Sequence, residues 1–191
     1  MTTKRKMALR NSRLEFGSLA KWLHWLVAIG IVVLLYLGLE QSGMERGPDK
    51  QALRDLHGSI ALLVLLLMTV RIIWRFMNEV PAHPENTPVW QRVSAPLVHW
   101  GIYIAVFVQL ISGPITVATG GRAILFFNLF SFSLPVEKNE DKHHFWEGIH
   151  EFAWKIVAAL LILHVLAALY NHFVAKNNVL RRMTIGIDKD N

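Results

Sequence analysis

An all-α, integral membrane four-helix bundle with both termini in the cytoplasm is the fold this sequence predicts. Three observations predict it. Four stretches of spanning length are almost free of charge, hydrophobic residues make up 53% of the 191 against 18% charged, and Lys and Arg fall unevenly on the two sets of connections. Soluble domains carry about 25% charged residues, and crossing a hydrocarbon core takes about 20 apolar residues per helix. A mean hydropathy of +0.34 points the same way. Residues 1–191 read as a single membrane domain.

The elements follow in order. Span one covers about 20–39, with Trp22 to Leu39 uncharged between Lys21 and Glu40. Span two covers about 56–76, where Leu56 to Val70 is uncharged and Ile72, Ile73 and Trp74 carry it past Arg71. Span three, about 95–118, lies between Arg92 and Arg122. It contains Gly113-Pro114, which should kink it, as a bundle tolerates when neighbours satisfy the freed carbonyl. The apolar segment 123–136 ends at Pro135 and is too short to cross. It is expected as an interfacial or re-entrant piece capping one end of the bundle, with a loop packed on headgroups as the alternative. Span four covers about 150–175, with Trp154 and Lys155 at its entry.

Orientation comes from the basic residues. Lys4, Arg5, Lys6, Arg10, Arg13 and Lys21 precede span one, Arg71, Arg75 and Arg92 border the second connection, and Lys176, Arg181, Arg182 and Lys189 follow span four. The other side has Arg46, Lys50, Arg54, Arg122, Lys138 and Lys142. The positive-inside rule places the richer side, with both termini, in the cytoplasm. Topology thus accounts for the pI of about 9.8, and no nucleic-acid partner is expected. The absence of Cys excludes a disulfide framework, thiolate metal sites and covalent haem attachment. The first apolar run is longer than a signal-peptide core and has no small-residue cleavage site after it.

Ionisable residues inside a bilayer are costly and mark function by default. Of the nine His, four stand out by position: His24 at the cytoplasmic start of span one, His57 at the periplasmic start of span two, and His150 and His164 on span four. The 14-residue step from His150 to His164 returns to within about 40° of the same face and rises about 21 Å. By depth, His24 belongs with His164 and His57 with His150. Single His at helix ends are commonly interface anchors, but two pairs matched in face and depth suit two metal cofactors stacked across the membrane. Neutral imidazoles facing each other in a bundle without Cys are the ligand set of b-type haem. The pairs are too far apart to form one tetrahedral zinc site. A transporter relaying protons through these histidines is the reading without haem.

The sequence resembles the bacterial cytochrome b561 family from about Leu19 to Met183. The resemblance is carried by Leu23-His24-Trp25, Leu56-His57-Gly58, Arg71 and Arg75 around Trp74, His99-Trp100-Gly101-Ile102-Tyr103, Ser112-Gly113, His150-Glu151, and the run from Leu163 to Met183. It implies a membrane electron carrier with two non-covalent haems b, ligated by His24, His57, His150 and His164. It also implies exchange with the quinone pool, ubiquinone being a candidate cofactor. The electron donor would be periplasmic and is not identified, superoxide being a candidate. A superoxide:ubiquinone oxidoreductase and a membrane anchor for a separate periplasmic oxidoreductase are the alternatives. The chain departs from the family at Asn171-His172, where His-His is frequent, and at Asn177, where an acid is frequent. Both departures touch the quinone site.

Three residues form a second tier. His99, His172 and Lys176 lie at the cytoplasmic face, with Lys176 one helical turn beyond His172. Together they could hydrogen-bond and protonate a quinone, or anchor the bundle by snorkelling. Arg71, inside span two, is a candidate partner for a haem propionate. On the periplasmic side, basic residues could steer an anion, but Asp49, Asp55, Glu137, Glu140, Asp141 and Glu147 stand among them. His143-His144 is a weak metal half-site on what reads as a polar loop.

Overall fold

The computed structural model describes residues 8–84 and 87–184, so Lys4, Arg5, Lys6 and Lys189 of the charge count lie outside the described residues. Four helices have the length and apolarity to cross a membrane: α1 (Ser18–Gly43), α2 (Pro48–Phe76), α3 (Val89–Thr119) and α4 (Glu140–Phe173). They are 26 to 34 residues long, or about 39–51 Å at 1.5 Å per residue, and so outreach a hydrocarbon core about 30 Å thick.

Helix α4 begins ten residues ahead of the expected 150 because its start is polar. Asn139 caps it, accepting from the Lys142 amide at 2.9 Å, and Glu140 and Asp141 occupy the first turn, where the helix dipole favours acids. Helix α2 likewise starts early, at Pro48, a residue suited to a first turn. Helix α3 runs unbroken through Pro96 and Pro114. His143 and His144 therefore sit on the first turns of α4, not on a loop.

α1 packs chiefly on α2, and α3 on α4. Val27, Ile31 and Leu34 meet Ala61, Val64 and Met68, while Tyr103, Val106, Leu110 and Val157 complete the core. Large apolar side chains such as Ile29, Val32, Leu66, Ile104, Ile162 and Leu166 cover the outside, as expected of a surface solvated by lipid tails.

The segment 123–136, expected as an interfacial or re-entrant piece, contains a two-stranded hairpin packed on α2, an addition to an otherwise all-α fold. Strands β1 (Ile124–Phe126) and β2 (Phe130–Phe132) pair antiparallel, Ile124 opposite Phe132. Phe127 and Asn128 turn the chain with φ of 44° and 60°. Ser59 ties the hairpin to α2: its hydroxyl donates to the Asp55 carbonyl at 2.7 Å and accepts from the Phe127 amide at 2.9 Å. Ile124 closes over Gly58, where a Cβ would stand 2.7 Å from Ile124 Cγ2.

The opposite end is laced together. The Ala82 amide donates to the Arg13 carbonyl and Asn11 to the Glu79 carbonyl. A short helix, α5 (Val179–Met183), follows α4. From it, Arg182 donates to the Ala82 carbonyl and to Asn178, and the Met183 carbonyl accepts from Trp25 Nε1 at 3.0 Å. Both terminal segments and the α2–α3 connection therefore share one end, called inner below. The hairpin and the α1–α2 turn mark the outer end.

Candidate functional site

Each histidine is placed by the helix that carries it. His150 and His164 lie on one unbroken helix, so their separation along the axis is about 21 Å. His57, in the third turn of α2, comes to His150 with ring centres 6.4 Å apart and planes at 74°. His24, in the second turn of α1, comes to His164 at 6.2 Å and 66°. All four rings are half-buried. A metal–imidazole bond is about 2.0–2.1 Å, so two imidazoles on opposite sides of one metal have ring centres about 6 Å apart. Both pairs match that spacing.

The outer pair faces a cavity of about 640 Å³ whose lining includes Gly38, Gln109, Gly113, Arg54, Arg122 and Trp154. A Cβ at Gly113 would stand 3.2 Å from His150 Cε1, and one at Gly38 would lie 3.6 Å from His57 Cε1. Glycine at these positions leaves the imidazoles room. His150 is oriented on both nitrogens: Ser112 Oγ lies 3.0 Å from Nδ1 and the Gln109 amide nitrogen 3.0 Å from Nε2. With Nδ1–H donating to Ser112, whose own hydroxyl donates to the Gln109 backbone carbonyl, Nε2 carries the lone pair, which accepts from the Gln109 side-chain amide. That is the tautomer a metal ligand needs. The buried Nδ1 of His57 has no hydrogen-bond partner among the described residues.

The inner pair is surrounded differently. His99 stands against His164 with ring centres 5.4 Å apart, and Trp25 against His24 at 5.3 Å. Arg71 donates from Nε to the Tyr103 hydroxyl at 3.0 Å, and Arg75 lies over Trp100 and Tyr103. Among the described residues no group of three or more His, Asp or Glu converges to hold a metal by protein ligands alone. The histidines work as pairs.

A family model described as prokaryotic cytochrome b561 matches residues 15–186. The chain belongs to that family. It is similar to cytochrome b561 homolog 2 of Escherichia coli K12, 27% identical over 93% of this chain and 95% of the relative. Cytochrome b561 homolog 1 of the same organism is 29% identical over 88% and 96%. The Yersinia pestis protein named "Probable superoxide oxidase CybB" is 26% identical over 88% and 95%. Membership makes this chain a multi-pass, inner-membrane b561-type electron-transfer protein, of a family that binds haem.

The residues present fit such a group. Paired imidazoles at ligating separation, an orphaned ring nitrogen, glycines beside both outer rings and a cavity between helices are what a haem there requires.

The second-tier residues are placed as follows. His99 lies beside His164, and the His172 ring lies against Phe173. Lys176 does not continue the helix as expected. α4 stops at Phe173, and Lys176 adopts left-handed backbone with φ of 50°. Asn171 and Asn177 explain the stop. Asn177 donates from its side chain to Asn171 Oδ1 at 2.5 Å and from its amide to the Asn171 carbonyl at 2.9 Å, closing the helix end.

Gln109 was not singled out from the sequence. Its signal was present, as an amide in the otherwise apolar run Val106-Phe107-Val108-Gln109-Leu110-Ile111, where a polar group requires a partner.

Proposed function

We propose that this protein carries single electrons across the inner membrane through two bis-His haems b, between a periplasmic donor and the quinone pool. His57 and His150 would hold the outer haem, His24 and His164 the inner, with both termini cytoplasmic. The observation that carries this reading is the pair of imidazole–imidazole separations, 6.4 and 6.2 Å, at two levels of one helix. Haem, when bound, supplies the one-electron couple.

The chain supplies the rest. Ser112 and Gln109 fix the His150 tautomer and ring plane, although the Gln109 amide lies on the Nε2 side and has to yield that nitrogen to a metal. The apolar core at Val64, Val106 and Val157 keeps water out between the two levels. Arg71 and Arg75 place positive charge beside the inner pair, where it can balance a propionate or a reduced centre. His99, His172 and Lys176 remain the proposed contacts for a quinone at the inner end.

The test is a reduced-minus-oxidised spectrum of the purified protein, with haem per chain by pyridine haemochrome. Two low-spin haems b per chain are expected, and no haem after expression with ample haem supply would end the reading. A second reading, superoxide:ubiquinone oxidoreductase, is favoured by the name of the Yersinia relative. Superoxide-dependent quinone reduction by the purified protein separates it from simple electron carriage.

A further inference from the structure

The outer end holds a second concavity, beside the cavity that His57 and His150 face. It encloses about 590 Å³ and is lined by Arg46 from the α1–α2 turn, Arg54 from α2, Arg122 after α3 and Lys138 ahead of α4. Sequence leaves the outer charges balanced, because six acids stand among the cations. The fold separates them. Of those acids only Glu140 and Glu147 line the concavity; Glu140 is paired with Lys138 at 3.8 Å, and Glu147 lies 3.6 Å from the His144 ring. Arg46, Arg54 and Arg122 have no carboxylate at ion-pair distance among the described residues. Three guanidinium groups drawn from three separate segments thus converge on one basin, none of them paired among the described residues with the two carboxylates that share its lining.

We propose that this basin binds a phosphate-class oxyanion, either free or as the headgroup phosphate of an anionic lipid. Guanidinium groups match phosphate bidentately, and the volume lies in the range of small-ligand sites, about 300–1,000 Å³. Like charges held together repel, and a dianion removes that repulsion. The helices are longer than a hydrocarbon core is thick, which would put the basin at headgroup level, within reach of either source. Arg54 and Arg122 line both concavities, whereas Arg46 and Lys138 line only the basin. The occupant therefore sits at the mouth of the outer cavity without being part of it.

The test uses the full chain in phosphatidylcholine discs, with and without phosphatidylglycerol. Labelled inorganic phosphate is the probe for free anion, measured by equilibrium dialysis, and retained phosphatidylglycerol is measured by native mass spectrometry. The comparison is wild type against Arg46→Gln combined with Lys138→Gln. Weakening of phosphate binding by about tenfold or more, the order of a lost charge-assisted pair, supports a free oxyanion. Retained phosphatidylglycerol that the double variant loses, with no phosphate uptake, supports the headgroup. No phosphate uptake with equal lipid retention, or binding that the variant leaves unchanged, overturns the proposal. Should the double variant fail to fold, Arg46→Glu in the exposed turn gives the same comparison. Neither readout depends on redox activity, so the outcome is separate from that of the haem reading.

Discussion

The two histidine pairs have nearly the same spacing and are held by opposite means. At the outer end, hydrogen bonds fix the geometry: Ser112 and Gln109 grip the two nitrogens of His150, and Ser59 ties a hairpin over the helix that carries His57. At the inner end the rings are held by crowding, with Trp25 edge to face against His24 and His99 against His164, and Arg71 and Arg75 braced on Tyr103. A hydrogen-bonded ring has a defined tautomer and depends on single atoms. A packed ring tolerates the loss of one neighbour, because several others still bound it.

The largest expected effect tests whether there are two sites at all. His57→Ala should remove one haem per chain and leave the other, and His24→Ala should do the reverse, with complementary losses in the difference spectrum. Two haems retained in either variant would break the pairing. Next comes the contrast between grip and crowd. Ser112→Ala should weaken retention of the outer haem alone, by about 10–100-fold, as is usual when a ligand's hydrogen-bond partner is lost. His99→Ala should leave haem content at wild-type level. Equal losses in the two variants, read by haem titration into apoprotein, would erase the distinction.

A smaller effect is expected at the hairpin. Gly58→Ala drives a methyl into Ile124 Cγ2 at 2.7 Å, an overpacking worth about 1–3 kcal/mol. The flexible tip of Ile124 will absorb part of it, and Ile124→Ala in the same chain should relieve the rest. The readouts are thermal unfolding and the outer haem's spectrum. Additive rather than compensating losses would show that the hairpin does not rest on Gly58.

Spanning helices, their order and the two histidine pairs were legible in the sequence because the bilayer imposes a length and a charge rule, and because helical geometry converts the His150–His164 spacing into face and depth. Helix starts were less legible. α4 begins on Asn139-Glu140-Asp141, a capping signal that an apolarity count passes over. The hairpin was hidden for a related reason, since Ile124 to Phe132 is apolar except at Asn128 and Ser131 and shows neither helical nor strand period. Charge sorting at the outer end could not be read at all. Whether Arg54 faces Asp55 or the basin depends on helix rotation and on what Thr119 and Asn139 bring together, as the Asn139 amide donates to the Thr119 carbonyl.

The smallest expected effect lies at the inner end, where α4 stops. Asn171 and Asn177 close α4 on each other, and the closure leaves Lys176 exposed at φ 50°. Left-handed backbone costs an L-residue about 1–2 kcal/mol, and glycine escapes that cost. Lys176→Gly should therefore raise stability slightly, while Lys176→Ala keeps the strain. Both remove the ammonium group. If that ammonium contacts quinone, quinone reduction should fall equally in the two variants while the haem spectra stay fixed. A fall in one variant alone would trace the effect to the backbone of the turn. Unchanged reduction in both would remove Lys176 from the quinone site and leave the inner exchange to His99 and His172.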